Sequence, residues 1–264
     1  MFNGLFIGAA GMRAQQMNVD TIANNLANAN TTGFKKGRVS FTEMMVQDSN
    51  RTQTSNADLD TVAMNSLRHA GVGVAVASAG KIFEAGELRK TESAMDVAIA
   101  GDGFFELAMS DGSTAYSRGG SLKINRDGQL ALSTGQALKP GINVPDNVQA
   151  VSIARDGRVS FSVAGQSAPV DGGQLELVRF TNPNGLSSQG EGVYLANENS
   201  GMATTSLPGE NGVGTVSQGF LEASNVKMID EMINLMVAQR AYEANVKIVQ
   251  ASDEMLGMIN NLRK

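Results

Sequence analysis

The chain has 264 residues, a net charge of −5 at pH 7, 42% hydrophobic residues and only 5% aromatic residues. The absence of cysteine excludes disulfides and cysteine-ligated metal sites, and the scarcity of aromatic residues predicts an aliphatic core. The acidic balance without a long basic run argues against a nucleic-acid partner, and no apolar segment reaches the roughly 18 residues of a transmembrane helix.

The N-terminal segment, residues 2–30, carries a helical stripe with a period of seven residues. The stripe consists of Leu5, Met12, Val19 and Leu26. This spacing places apolar side chains on one helix face and favours packing against a partner helix. Gly8 and Gly11 weaken an isolated helix but permit the close approach of another one. No basic region precedes the apolar start, so we interpret this segment as mature structure and not as a cleaved signal peptide.

The N-terminal helix is predicted to stop near Asn30, where polar residues and Gly33 resemble a helix C-terminus. The only basic cluster follows it, at Lys35, Lys36 and Arg38. We interpret this cluster as a solvated turn.

The sequence between residues 39 and 79 contains three segments of different composition. Residues 39–47 are predicted to form a short ordered segment. Residues 48–61 are polar and predict an exposed extension or loop. Residues 71–79 alternate glycine with valine and alanine, which is typical of a strand.

From about Met95 the apolar period changes to two. Asp-Gly pairs separate alternating apolar runs at positions 111–112, 127–128 and 156–157. Asp-Gly between such runs is a strong hairpin signal, so a β domain of consecutive hairpins is predicted over residues 93–204. The sequence Gly101-Asp102-Gly103 is predicted to be a tight turn between strands.

The last forty residues contain a second stripe with a period of seven. It consists of Met228, Leu235, Tyr242, Val249 and Leu256, and Met232 and Val246 are predicted to extend it four residues further on. A helix of this length measures roughly 58 Å at 1.5 Å per residue. It cannot bury the stripe against itself, so its partner is the N-terminal helix, another chain, or both.

These patterns predict an α+β fold. Long N- and C-terminal helices pair as a coiled-coil-like unit, with a central, mainly-β domain inserted between them. The predicted domains are a terminal helical core (1–34 plus 222–264), an extended linker or β extension (35–92 plus 205–221) and the β domain (93–204).

The sequence contains no recognisable catalytic motif. His69 is the only histidine, and neither a nucleophile elbow nor a phosphate-binding glycine loop is present. We therefore expect no enzyme activity, no cofactor and no metal.

Several short strings resemble the bacterial flagellar rod and hook family of axial proteins. They are Ala23-Asn24-Asn25-Leu26-Ala27-Asn28, Thr32-Gly33-Phe34-Lys35, Gly101-Asp102-Gly103-Phe104-Phe105, Tyr116-Ser117-Arg118-Gly119, Ser224-Asn225-Val226 and Gln239-Arg240-Ala241-Tyr242-Glu243-Ala244-Asn245. The resemblance covers both termini and the β domain. The length is similar to that of distal rod subunits, with proximal rod and short hook subunits of the same family as alternatives.

The resemblance implies a structural subunit that crosses the flagellar type III export apparatus unfolded and then polymerises helically. The product is the basal-body rod, which surrounds the export channel and transmits torque from motor to hook. The implied partners are other copies of this chain, proximal rod proteins, the hook protein or hook–rod junction, and the periplasmic and outer-membrane ring proteins. A discrete coiled-coil adaptor or adhesin with a β head is the alternative from another class.

Within such a polymer, both helix stripes are predicted to mediate subunit packing. Asn24, Asn25 and Gln239 lie off the stripes and are predicted to hydrogen-bond between subunits or to face the channel. Residues 48–70 are predicted to bridge neighbouring subunits and to stiffen the shaft.

Overall fold

The structure is a computed structural model that describes residues 2–45, 71–109, 111–165 and 168–262. Two helices, α1 (Phe2–Ala27) and α2 (Met228–Leu262), flank a mainly-β region. The strands are β1 Gly37–Met45, β2 Gly71–Lys81, β3 Leu88–Lys90, β4 Asp96–Ala100, β5 Phe104–Ala108, β6 Thr114–Ser117, β7 Gly119–Ile124, β8 Leu130–Leu132, β9 Ala137–Lys139, β10 Val148–Ile153, β11 Arg158–Val163, β12 Val170–Gln174, β13 Leu177–Phe180, β14 Ser187–Gly190, β15 Val193–Leu195, β16 Ala203–Ser206, β17 Thr215–Gln218 and β18 Phe220–Glu222. The predicted α+β class is confirmed.

The three predicted Asp-Gly hairpins are confirmed. Strands β5 and β6, β7 and β8, and β10 and β11 pair antiparallel across these turns. Gly112, Gly128 and Gly157 have φ values of 83°, 74° and 83°, a left-handed conformation that glycine adopts without steric cost. The turn at residues 101–103 is also confirmed, since it joins β4 to β5.

Most strands form one antiparallel sheet in the order β14-β15-β6-β5-β9-β8-β7-β4-β17, with β13 pairing with both β5 and β16. A second sheet has the order β10-β11-β12, and β1-β2 and β3-β18 form two-stranded sheets. Strands β17 and β18 come from the segment just before α2. That segment therefore adds strands to β4 and β3, far earlier in the chain.

The β region contains two apolar clusters. The larger cluster is mainly aliphatic and includes the fully buried Leu107, Leu130 and Leu177. The smaller one is mainly aromatic, with edge-to-face ring pairs whose centroids lie 4.8 to 6.2 Å apart. Its members are Phe83, Phe104, Tyr116, Val178, Phe180, Leu186 and Tyr194. The prediction of an aliphatic core is wrong here, because the few aromatic residues are concentrated in one place.

The chain divides into two compact units. The first comprises the described parts of Met1–Asn24, Arg38–Ala79 and Ile229–Lys264, and the second comprises Asn25–Gly37 and the described parts of Gly80–Met228. The first unit thus groups most of β1 and β2 with the two helices. This differs from the sequence-based division, which assigned residues 35–92 to a separate linker.

Within the first unit, glycines of α1 lie against α2. A Cβ atom on Gly8 would lie 2.7 Å from Val249 Cγ2, and one on Gly11 would lie 3.0 Å from Asn245 Nδ2. Gly8 lies near Val249, and the later residue Gly11 lies near the earlier residue Asn245, so the two helices run antiparallel. The contact is a close approach at glycines, and the interlocking of large side chains that defines a coiled coil stays a prediction.

The residues of α2 with low exposure include part of the predicted stripe. Leu235, Val249 and Leu256 are half-buried, and Ala238 is buried. The predicted half-step residue Met232 is 52% exposed. A heptad seam alternates steps of three and four residues. The step after Leu235 is three, to the buried Ala238, so Met232 does not lie on the inward face. Val246, the other predicted half-step residue, is half-buried.

Helix α1 ends at Ala27, close to the predicted stop. Gly33 follows with a φ of 69°. None of the described helices is both long and apolar enough to cross a bilayer. The predictions for residues 48–70, together with His69, lie outside the described residues.

Candidate functional site

Three charged side chains are buried together in the second unit: Lys35, Arg118 and Glu222. Lys35 Nζ lies 2.8 Å from Glu222 Oε1, and Arg118 Nε lies 2.9 Å from Glu222 Oε2. None of the three residues is more than 4% exposed. The prediction of a solvated turn is wrong for Lys35, because its carboxylate partner lies 187 positions away in the chain and leaves no local signal.

Backbone groups complete the hydrogen bonding of this charge cluster. Lys35 Nζ donates to the Glu84 carbonyl at 2.6 Å, and the Gly86 N–H donates to Glu222 Oε1 at 2.8 Å. The Arg118 guanidinium also donates to the carbonyls of Gly101 and Gly103, at 2.8 and 3.2 Å. Buried charges are tolerated only when they are paired and hydrogen-bonded in this way.

The electrostatics favour the ionised form of Glu222. Burial acts to raise the pKa of Glu222, but the charges and hydrogen bonds of Arg118 and Lys35 outweigh it, so this pKa lies below its ordinary value. Burial lowers the pKa of Lys35, the Arg118 charge adds to that effect, and Glu222 opposes both. Burial also raises the pKa of the adjacent Tyr194 to about 12, and the Glu222 charge adds to this shift.

The charge cluster borders the aromatic cluster. The Arg118 guanidinium lies 5.8 Å from the centre of the Phe104 ring. Phe83, which is one residue before Glu84, packs edge-on against Phe104 and Tyr194. The segment that accepts a hydrogen bond from Lys35 is therefore also anchored by an aromatic side chain.

Two asparagines hold the segments on either side of the cluster. Asn225 Oδ1 accepts from the Lys36 N–H at 2.8 Å, and its Nδ2 donates to the Ile82 carbonyl at 2.8 Å. The Asn25 side chain pairs with both backbone groups of Gly37, at 2.7 and 2.9 Å. Asn25 is buried within its own chain, so the predicted role between subunits or towards the channel is wrong for this residue.

Four of the strings that carry the family resemblance thus meet in one place. Lys35 and Arg118 converge on Glu222, the carbonyls of Gly101 and Gly103 accept from Arg118, and Asn225 binds the backbone beside them. Glu222 lies outside these strings, and its role was not predicted from the sequence. Its only local signal is a charged residue directly after the apolar pair Phe220-Leu221.

The first third of α2 exposes an apolar patch, which we call the α2 patch. Its members are Ile229, Met232, Ile233, Met236 and Val237, all between 49% and 75% exposed. At about 100° per residue they lie on one side of the helix, opposite the inward-facing Leu235 and Ala238. Exposed apolar side chains grouped on one helix face are typical of an interaction surface.

The first unit also contains an apolar groove between α1 and strands β1 and β2. Its volume is about 550 Å³, and of the described residues that line it Arg13 alone is charged. The large apolar side chains along it are Phe6, Met17, Met44, Val74 and Val76. All five are partly exposed, and Phe6 is 62% exposed.

The predicted packing residues differ in their surroundings. Those of the α1 stripe, Leu5, Met12, Val19 and Leu26, are half-buried, whereas Met228 and Tyr242 on α2 are exposed. In the family strings Ala23, Asn24, Gln239, Arg240 and Glu243 are exposed, and Asn28, Gly33, Phe34 and Ala241 are half-buried. No group of acidic or histidine side chains in the described ranges could hold a metal ion.

Three family models match separate parts of the chain. Residues 5–35 match "Flagella basal body rod protein". Residues 98–161 match "Flagellar hook protein FlgE/F/G D1 domain". Residues 217–262 match "Flagellar basal body rod FlgEFG protein C-terminal".

The chain is also similar to curated proteins over its full length. It is 42% identical over 270 residues to the flagellar basal-body rod protein FlgG of Borreliella burgdorferi, covering 100% of both chains. It is 36% identical over 269 residues to the FlgG of Bacillus subtilis, again with 100% of both chains covered. A second Bacillus subtilis protein, the flagellar hook-basal body complex protein FlhP, is 26% identical over 275 residues, with the same coverage.

Proposed function

Because this chain belongs to the flagellar basal-body rod protein family, we propose that it is the distal rod subunit of a bacterial flagellum. In this role it polymerises helically into the drive shaft that transmits torque from motor to hook. The full-length identity to proteins named FlgG supports the distal assignment. Within Bacillus subtilis, identity falls from 36% to 26% between FlgG and FlhP, which argues against another branch of the family.

The α2 patch is the observation that most directly supports a polymeric role. Five large apolar side chains on one helix face contact water in the single chain. Burial of apolar surface stabilises association by about 25 cal/mol per Å². Copies that cover one another's patches in a repeating, non-closing arrangement form a helical filament.

The proposed polymer places α1 and α2 at its centre, where they pair as a coiled-coil-like unit and line the export channel. Both stripes, from Leu5 to Leu26 and from Met228 to Leu256, then contact helices of neighbouring copies. The exposed Asn24 and Gln239 bond between subunits or face the channel. Residues 48–70 bridge neighbouring copies.

The remaining partners follow from the position of a distal rod. They are the proximal rod proteins on the motor side, the hook protein or hook–rod junction on the other side, and the ring proteins around the shaft. In this proposal the chain reaches its place through the flagellar type III export apparatus.

Deletion of the gene tests the proposal. The expected result is the loss of hooks and of swimming, with basal bodies that end in a shortened rod under the electron microscope. Expression of the chain from a plasmid restores full-length rods. Basal bodies with a complete rod and hook in the deletion strain would contradict the assignment.

A further inference from the structure

The apolar groove and the α2 patch are two different surfaces of the same unit. The groove side of α1 carries Phe6, Arg13 and Met17. The opposite side carries Gly8 and Gly11, which lie against α2. At about 100° per residue these two sets are roughly half a turn apart on the helix, so α2 of the same chain does not fill the groove.

We propose that the groove binds the α2 patch of a second copy of this chain. This inference rests on the proposed polymeric function and names the surfaces through which two copies meet. A surface that binds a different surface on the next copy makes a head-to-tail contact. Such a contact propagates without closing when the rotation does not return to the start, as a filament requires.

The chemistry of the two surfaces is complementary. The groove is apolar except for Arg13, and the patch is apolar with Asp230 beside Ile229 on α2. Among the described residues, neither Arg13 nor Asp230 takes part in an ion pair. An acidic residue at the edge of the patch and a basic residue on the groove wall set the orientation in which the helix enters.

The groove has one close contact between its walls and flexible side chains along its length. Gly73 of β2 has a φ of 129°, and a Cβ there would lie 3.3 Å from the Ala10 Cβ. Strand β2 therefore approaches α1 closely at Gly73, beside a groove with a volume of about 550 Å³. Methionines occur on both surfaces, Met17 and Met44 in the groove and Met232 and Met236 on the patch. Their flexible side chains adapt to an irregular partner surface.

Charge reversal on each surface tests the contact. Arg13→Glu alone or Asp230→Arg alone places like charges together in the contact, and we expect the number of full-length rods per cell to fall by about tenfold or more. The double variant Arg13→Glu/Asp230→Arg restores the opposite charges, and rod number is expected to recover. Asp20→Arg, at another exposed position on α1, is the matched control and should leave rods unchanged.

Cysteine pairing provides a second measurement that does not depend on rod yield. The chain has no cysteine, so Met17→Cys and Ile233→Cys introduce the only thiols. A mixture of the two variants, each carrying one cysteine, should give a disulfide-linked dimer of two chains within assembled rods. Met17→Cys mixed with Met258→Cys, at the far end of α2, should not.

The outcomes separate this inference from the proposed function. If rods form normally in both single charge variants and the 17–233 disulfide is absent, the groove contact is wrong while the rod function stands. If the unaltered chain forms no rod, the proposed function is wrong and the groove contact is overturned with it.

Discussion

At the scale of the residue, the charge cluster links segments that are far apart in sequence. Lys35 follows α1, Glu222 precedes α2, and Arg118 belongs to the β region between them. Removing one partner of a buried ion pair leaves the others charged and without compensation. We therefore expect this cluster to determine the stability of the second unit.

The substitution Glu222→Gln tests that expectation. It leaves the buried Lys35 and Arg118 without a carboxylate, so we expect the free energy of unfolding to fall by about 3–5 kcal/mol. The measurement is urea unfolding followed by near-UV circular dichroism of the tyrosines. The control Glu106→Gln removes an exposed ion pair in which Lys139 Nζ lies 3.2 Å from Glu106 Oε1. It should lower the free energy of unfolding by less than about 1 kcal/mol. Equal losses in the two variants would contradict the role of the cluster.

The pH dependence of stability follows from the same residue. The pKa of Glu222 in the folded chain lies below its ordinary value of 4.5. Its contribution is therefore fully present above pH 4.5 and is lost as the pH falls through the folded-state pKa. Urea midpoints measured from neutral pH into this acidic window should fall more steeply for the unaltered chain than for Glu222→Gln. Parallel curves would show that Glu222 does not couple protons to folding.

Lys35 adds a second pH effect, which has the same sign but falls in the alkaline range. Its pKa is lowered in the folded chain from an ordinary value of 10.5. Between those two pKa values the unfolded chain binds more protons, so the Lys35 contribution to stability rises with pH in the alkaline range. Lys35→Met should remove this rise when the same urea midpoints are measured from neutral pH to about pH 10.

At the scale of the element, the glycines of α1 decide how closely α2 approaches. A side chain at Gly8 would overlap Val249, whereas Gly257 of α2 has nothing within 4 Å of its hypothetical Cβ. We expect Gly8→Leu to separate the helices and to lower the thermal midpoint measured by far-UV circular dichroism. Gly257→Leu replaces a poor helix former with a good one and should raise stability by about 0.5–1 kcal/mol. A stabilising Gly8→Leu would contradict the close packing of α1 on α2.

The sequence predicts elements better than it predicts their partners. The Asp-Gly turns and both terminal helices could be identified, because their signals are local and periodic. The burial of Lys35 could not be predicted, because its partner Glu222 is distant in sequence. The inward face of α2 was predicted only in part. Ala238, Asn245 and Ser252 lie on this face, but they are small or polar, so a pattern of large apolar residues does not reveal them.

At the scale of the whole molecule, the apolar surfaces of the first unit explain why a rod subunit needs neighbours. Ile229 is 75% exposed and Phe6 is 62% exposed in the single chain. Large apolar surfaces that face water favour association. The second unit instead has extensive buried clusters of its own. The buried clusters of the second unit stabilise it without neighbours, whereas the exposed apolar surfaces of the first unit are the ones that the proposed contacts between copies would cover.

The most direct test of the central claim, that this chain builds the rod, is the position of labelled chain in isolated basal bodies. A peptide tag in an exposed turn, such as the one at Gly135, which has nothing within 4 Å of its hypothetical Cβ, can be detected with gold-labelled antibody by electron microscopy. We expect label on the shaft between the motor and the hook, at many copies per basal body. Label confined to the hook, or absent from the shaft of complete basal bodies, would contradict it.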